Sequence, residues 1–528
     1  MTGVAAPRGP VLNDEQFRRL TTYGAEEHVE LGQELYTSGD EKYDCFLLLT
    51  AAVDIVRDAT AVEPARLIYR GGPGDFLGEL NLLTGQHVYL TARVVTAGTV
   101  VRVGATALRR ALAEQDDVAD LLLAAFRERR EVFRTTAGSA LVIVGPAAEL
   151  RTYATQLLLP HSWLDPSSPA GRSTMASAGL TTDDLPAAVV HGSALRNATP
   201  GAVAQALGLT YRPDRRPVDL VVVGAGPAGL AAAVYGASEG LSTVLLDRSG
   251  IGGQAARSAR IENYLGFPHG ISGEDLTRLA MVQALKFGVR IHAPCAVAGL
   301  DLADDRRPAV VLDDGQRIQA RAVIAATGAH YRRPDVPGWA AFERSGCIRY
   351  AATDLDVRGY DHQPVAVIGG ANSAGQAALS LAARGATVEL IIRGADLEAR
   401  MSSYLTDRIR AHPRIRIHTG STICSLDGDG TMTSIGAVRR GGQRIRLDCT
   451  AVFCFIGADP VSGWLSGLAL DGDGFVLTGG RLPLQTSASR VFAVGDLRSG
   501  STKRVATAVG DGAGAVSSVH AALAARLP

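Results

Sequence analysis

One stretch limits the fold more than any other: VDLVVVGAGPAGLAAAVYGASEGLSTVLLDRS. An apolar strand, Leu220–Val223, runs into Gly224-x-Gly226-x-x-Gly229 and an alanine-rich helix. A second strand, Thr243–Leu246, then ends at Asp247. Each part has a mechanical reason. Gly224 permits a tight turn, Gly226 lets a pyrophosphate come against the backbone, and Gly229 lets helix and strand pack closely. Pro227 and Ala228 open a helix whose unpaired N–H groups and positive dipole end suit phosphate. Asp247, followed by Arg248, stands where a carboxylate accepts hydrogen bonds from an adenosine ribose. A bare GxGxxG reads equally well as an ordinary glycine turn. Strand, helix, second strand and terminal acid together point to a dinucleotide site.

The unit recurs in QPVAVIGGANSAGQAALSLAARGATVELIIRG. Strand Val365–Ile368 enters Gly369, Gly370, Ala371, Asn372, Ser373, Ala374 and Gly375, then a helix, then strand Val388–Ile392. Ala371 replaces the middle glycine and crowds a phosphate. No acid ends the second strand. Arg393 stands there, with Arg400 nearby. A guanidinium can fork onto a 2′-phosphate, which favours NADPH over NADH, although a surface arginine after a strand is the plainer reading. Two such units in one chain suggest an electron-transfer pair, one for a flavin nucleotide and one for the nicotinamide that delivers hydride.

At 528 residues the chain exceeds one core and predicts several domains. Its 53 basic and 53 acidic side chains cancel, so nucleic acid and a membrane surface are not expected partners. No apolar run reaches the ~18–20 residues of a membrane span. The N-terminus carries no signal pattern. The six cysteines, Cys45, Cys295, Cys347, Cys424, Cys449 and Cys454, form neither a Cys-x-x-Cys pair nor a metal-ligand spacing. They suit a reducing cytosol, so a cytoplasmic location and no metal site are expected. Short strands divided by turns from about residue 12 to 105 predict a β-roll, followed by a helical run from Thr106 to Phe133 that supplies its C-terminal helices. From about 139 to 210 the order is strand, helix, strand, loop, strand, helix, and a linker follows at Tyr211–Pro217.

From Val218 onward the chain resembles low-molecular-weight thioredoxin reductases. GIGGQ (Gly250–Gln254) and IENYLGFP (Ile261–Pro268) look like that family's flavin-contacting segment, with Gly252, Gly253, Gln254 and Asn263 mapping onto FAD contacts. AATGA (Ala325–Ala329), with Thr327 and Gly328, resembles the crossover between two lobes, and FIGADP (Phe455–Pro460) the return. VFAVGD, ending in Gly495 and Asp496, resembles the second FAD motif. KRVATAVGDGAGAV, opening with Lys503, Arg504, Val505 and Ala506, resembles the helix whose N-terminus faces the flavin. That dipole end can stabilise negative charge on a reduced flavin. The resemblance implies FAD, NADPH or NADH, and a homodimer through the flavin lobe. The implied fold is a multidomain α/β flavoprotein with two dinucleotide-binding domains, three-layer ββα and Rossmann-like. A β-roll and a small thioredoxin-like α/β domain precede it. The boundaries drawn are 1–137, 138–212, 216–331, 332–455 and 456–528.

The departure lies at Tyr350-Ala351-Ala352-Thr353-Asp354, where the family carries Tyr-Cys-Ala-Thr-Cys. Without two thiols, electrons cannot pass to a disulfide by the family's route. Cys347 has no neighbouring thiol in sequence and reads as a packed small residue. Asp354 could serve as an acid or base beside the flavin, or simply cap a helix. The expected acceptor is a small molecule or small redox protein: ferredoxin, a quinone, oxygen or a metabolite. Two rival readings are an oxidase of a small metabolite using oxygen, and a flavin-bearing regulatory scaffold.

Residues 12–135 resemble the cyclic-nucleotide-binding roll of bacterial regulators, with FLGELNLLTGQHVYLTARV (Phe76–Val94) as the phosphate cassette. Gly78 and Glu79 are kept, but the phosphate arginine is missing near Tyr89–Leu90, and Arg93 lies beyond. Loss of that cation weakens the case for a bound cyclic nucleotide and fits a structural or dimerising module. Residues 139–210 resemble a reduced thioredoxin fold without cysteines, with Leu185-Pro186 at the place of that family's cis-proline.

Overall fold

The computed structural model describes residues 10–41, 43–59, 65–78, 81–84, 87–136, 141–157, 159–212, 218–258, 260–350, 352, 357 and 359–524. The chain forms two compact units. One joins Met1–Gly328 to Val461–Pro528, and the other is Ala329–Pro460.

In the first unit, the N-terminal strands form two antiparallel four-stranded sheets. One runs Ala25–Val29, Gly98–Val103, Cys45–Leu48, Phe76–Leu77. The other runs Glu34–Tyr36, Thr91–Thr96, Ala52–Arg57, Arg66–Gly71. Val53 and Ile55 point inward and their neighbours outward, the period-two alternation of a half-buried sheet. The helical run that follows is two helices, Ala105–Glu114 and Asp116–Thr136. The break falls at Gln115, whose φ of −128° and ψ of 85° leave the helical region.

The segment that follows has a four-stranded sheet in the order His161–Leu164, Leu141–Val144, Ala187–Val190, Ser193–Leu195. The first pair is parallel and the others antiparallel. Helix α1 (Ala148–Gln156) makes the crossover of the parallel pair. The expected loop contains a helix, Pro169–Ser177, and the last strand is a hairpin partner that the sequence reading lacked. Ser168 caps that helix with Pro169 at its first position, a start signal that was present in the sequence. The Leu185–Pro186 bond is cis.

The rest of the first unit is a parallel five-stranded sheet: Arg290–His292, Thr243–Leu246, Leu220–Val223, Ala322–Ala325, Val491–Ala493. Both faces are covered, which explains why Leu220–Val223 is apolar throughout. Leu220 and Val222 join the core shared with helices α2 (Pro227–Ser238) and α3 (Val505–Ala524). Val221 and Val223 pack under a three-stranded antiparallel meander spanning Val297–Gln319. The apolar core on the helix side continues without a break into the N-terminal modules, through Phe126, Ile143, Leu150 and Leu207.

The second unit repeats this plan by itself. Its parallel sheet runs Ile348–Arg349, Ala451–Cys454, Pro364–Ile368, Thr387–Ile391, Ile415–His418. Val365 and Val367 face the Asn372–Ala383 helix, while Ala366 and Ile368 face a second meander through Ile423 and Ile435. Both lobes therefore have the three-layer arrangement expected. Among the described residues, no helix is long and apolar enough to cross a membrane.

Helices α2 and α3 pack at near backbone contact. A side-chain carbon on Gly512 would stand 2.2 Å from the Ala228 carbonyl oxygen and 3.0 Å from the Ala231 methyl. Gly512→Ala gains about 1 kcal/mol of helix propensity but meets a backbone atom, and overpacking of this kind costs about 1–3 kcal/mol. We expect net destabilisation in a urea titration; a variant as stable as the parent would contradict this packing.

Candidate functional site

The three glycines of the first loop divide by role. Gly224 adopts φ +108°, and a side-chain carbon there would lie 2.3 Å from the Ala326 carbonyl oxygen. At Gly229 such a carbon would lie 1.7 Å from the Gly224 carbonyl oxygen. Both are glycines because the protein itself fills their space. Gly226 is different: nothing lies within 4 Å of its missing side chain. It opens onto free space at the start of α2, where Pro227 takes the first turn and no side chain caps the helix. The first-turn N–H groups, including those of Ala228 and Gly229, are thus left for a ligand. Open space at one glycine and packing at the other two fit a phosphate-bearing cofactor.

Asp247 does more than the sequence suggested. Its Oδ2 accepts the Ala225 N–H at 2.8 Å, and its Oδ1 accepts those of Ser249 at 2.9 Å and Gly250 at 3.0 Å. The acid at the end of the second strand therefore fixes the phosphate loop and the turn after it. Arg248 is exposed. The following loop crosses over the open glycine: a side-chain carbon on Gly253 would stand 3.0 Å from the Gly226 Cα. Gly252 and Gly253 both have positive φ, +105° and +54°. Gln254 and Asn263 are exposed on this side of the loop and beyond it.

The crossover is pinned from the other end of the unit. Thr327 Oγ1 donates to the Val461 carbonyl at 2.7 Å and lies 3.4 Å from the Trp464 indole N–H. Gly328, at φ +68°, accepts the Val461 N–H at 2.9 Å. Trp464 was not anticipated, because its partner is remote in sequence. Gly495 has φ +66° and donates its N–H to Asp511 Oδ2 at 3.1 Å. Arg498 also reaches Asp511, at 3.3 Å. Asp511 was missed for the same reason as Trp464. Asp496 lies half-buried and accepts no hydrogen bond from any described residue. Burial, with Asp511 adding repulsion, raises its carboxyl above the ordinary carboxylate range, against the pull of Lys503. A desolvated acid without partners is suited to accept from a cofactor hydroxyl. Arg504 and Ala506 are exposed and Val505 half-buried at the start of α3.

In the second unit, Gly369 has φ +140°, and its missing side chain would meet the Phe455 carbonyl at 2.5 Å. The third glycine, Gly375, makes room for Met401, whose Sδ would stand 2.7 Å from a side chain there. Asn372 Oδ1 accepts the Ser402 N–H at 2.8 Å, which spends one of its two polar ends. Ser373 is exposed and Ala374 buried at the helix start. Ala371 adopts φ −110° and so needs no glycine. Arg393 is exposed and makes no ion pair with a described residue, so its guanidinium is available.

Where the sequence reading placed a replaced cysteine pair, Tyr350 stacks on Tyr331 with ring centroids 4.7 Å apart, and Trp339 donates its indole N–H to the Tyr350 hydroxyl at 3.0 Å. Asp354 lies outside the described residues, as do Ala351 and Thr353. Cys347 is buried beside the Ser345 hydroxyl. All six cysteines are free. Burial pushes the Cys45, Cys295, Cys449 and Cys454 thiols up to about 12, so they hold almost no thiolate at neutral pH. Among the described residues no group of three or more His, Cys, Asp or Glu could hold a metal ion.

In the β-roll, Arg93 points outward and pairs with Glu34 at 2.8 Å. Tyr89 and Leu90, where a phosphate arginine was sought, are both buried. Arg129, from the helix after the roll, lies 4.0 Å over the Phe76 ring and donates to the Gly78 carbonyl at 2.9 Å, covering that end of the cassette. Glu79 lies outside the described residues.

Comparison with known proteins agrees with this arrangement. Residues 218–512 match the family model described as pyridine nucleotide-disulphide oxidoreductase, and residues 26–115 match the cyclic nucleotide-binding domain. The chain is 34% identical over 299 residues to the thioredoxin reductase of Mycolicibacterium smegmatis, covering 56% of this chain and 94% of that protein. It is equally identical to the bifunctional thioredoxin reductase/thioredoxin of Mycobacterium leprae, of which it covers 64%. Among solved structures, thioredoxin reductase from Streptococcus pyogenes MGAS5005 superposes with a TM-score of 0.53 at 30% identity, over 59% of this chain and 99% of that one. The enzyme from Giardia duodenalis gives 0.54 at 26% identity, over 59% and 100%. With its two parallel-sheet lobes, its paired glycine loops and a family match across more than half its length, this chain belongs to the pyridine nucleotide-disulphide oxidoreductase family.

Proposed function

We propose that the chain is an FAD-dependent oxidoreductase that takes hydride from NADPH, or less readily NADH, and passes electrons to an acceptor other than a cysteine pair. The observation that carries the reading is the combination of two dinucleotide loops with Tyr350-Ala351-Ala352-Thr353-Asp354 in place of a dithiol. Bound FAD supplies two-electron chemistry that no side chain offers. Gly226, the start of α2 and the Gly252–Gln254 loop hold its phosphates. Asp247 orders that loop, Asp496 accepts from the ribityl region, and the start of α3 favours negative charge. Asn372, Ser373 and Arg393 serve the nicotinamide nucleotide. Asp354 remains the acid or base candidate near the acceptor.

The acceptor is a small molecule or small redox protein. The chain acts as a homodimer in the cytoplasm, as its family resemblance and free thiols suggest. The domain boundaries drawn from the sequence accompany this reading. The outward Arg93 and the Arg129 cover support a β-roll that works as structure, with no cyclic nucleotide bound.

The purified protein should be yellow, and NADPH should bleach it in the absence of air without any turnover of thioredoxin disulfide. A colourless protein that FAD cannot reconstitute, or ready disulfide turnover, contradicts the proposal. Arg393→Ala should raise the KM for NADPH at least tenfold and leave that for NADH nearly unchanged, since a charge-assisted bond is worth about 1.5–3 kcal/mol. Equal effects on both nucleotides would remove Arg393 from the 2′-phosphate site.

Asp496 supplies a third check. Its folded carboxyl holds its proton more firmly than the unfolded one, so ionised Asp496 costs the apoprotein stability at neutral pH. That cost fades as the pH falls through its raised value. Asp496→Asn should therefore raise the apoprotein melting temperature at pH 7, with a smaller gain in acid, and weaken FAD binding. A variant with lower apoprotein stability and unchanged FAD affinity would refute both roles.

A further inference from the structure

We propose that the segment between the β-roll and the flavin lobe is part of the cofactor site, with Tyr153 and Gln156 of α1 as positioning residues for Asp247 and its loop. The inference rests on the reading above that FAD binds at this loop. Residues one helical turn apart lie on the same face, so 153 and 156 can grip a single object. The Tyr153 hydroxyl donates to the Ala293 carbonyl at 3.1 Å in a buried contact. On either side of Ala293, the His292 carbonyl accepts the Asp247 N–H at 3.1 Å, and the Cys295 N–H donates to the Asp247 carbonyl at 2.6 Å. Tyr153 thus fastens the backbone that brackets Asp247.

Gln156 acts on the other side. A side-chain carbon built on Gly250 would lie 2.4 Å from Gln156 Oε1 and 3.6 Å from its Cβ. Gly250 is the residue whose N–H the Asp247 carboxylate holds at 3.0 Å. Gly250 has no positive φ, so the turn itself does not require glycine there. The movable end of the Gln156 side chain occupies the room that a side chain would take. One helix therefore presses on both flanks of the acid that orders the phosphate loop, and neither contact comes from the flavin lobe.

The test uses the full chain, stripped of FAD and titrated back, with Tyr153→Phe, Gln156→Ala, Gly250→Ala and the Gln156→Ala/Gly250→Ala double variant. Tyr153→Phe should raise the FAD dissociation constant several-fold. Gly250→Ala should raise it about two- to threefold, because the new methyl makes the Gln156 side chain swing aside and disturbs the turn that Asp247 holds. In the double variant the new methyl occupies the space that Gln156 vacates, so the affinity should return most of the way to that of the parent. Additive losses in the double variant, or lower melting temperatures with unchanged FAD affinity in all four, overturn the inference. A parent that binds FAD beside unaffected variants sinks this inference alone. A parent that binds no FAD sinks the proposed function with it.

Discussion

The carboxylate of Asp247 is the point on which the flavin lobe turns. Three backbone N–H groups from two different loops end on its oxygens. Each is a charge-assisted bond, stronger than its neutral counterpart. Together they hold the glycine turn at the end of one strand to the turn at the end of the next. The open face of Gly226 exists because that frame is fixed, with the Gly224 and Gly229 contacts closing it from below. A phosphate site made of backbone N–H groups needs such bracing, since its donors are only as well placed as the loop that carries them.

Asp496 lies half-buried with no hydrogen-bond donor among the described residues, and burial raises its carboxyl. A group that costs the empty protein stability is commonly kept for what it binds. The same logic separates Asp496 from Asp247: both follow strands of the same sheet, but Asp247 is spent on the protein's own backbone. Around Tyr350, stacked tyrosines and a tryptophan hydrogen bond stand, while four of the six thiols are held protonated by burial. The run Tyr350-Ala351-Ala352-Thr353-Asp354 holds no cysteine, and both glycine loops are present.

The two parallel sheets were legible because the strands Leu220–Val223 and Pro364–Ile368 are covered on both faces and so read as apolar runs, each followed by glycines and an alanine-rich helix. The small-residue content of α2 and α3 follows from their close contact at Gly512. The break at Gln115 was not legible, because the apolar spacing continues across it and only the backbone turns. The Pro169–Ser177 helix was missed, since its short amphipathic pattern hides among serines and alanines, although Ser168 and Pro169 announced its start.

By itself the sequence determined the two nucleotide loops, the strands that carry them and the lack of any Cys-x-x-Cys pair. Each of these is a local pattern, set by spacing along a few dozen residues. Tertiary structure decided what each polar group is free to do. It showed Asp247 committed to backbone, Asp496 without a donor among the described residues, Arg93 turned outward and Tyr153 and Gln156 set against a loop far along the chain. Those outcomes depend on which distant atoms come within hydrogen-bond reach, and spacing along the chain carries no record of that.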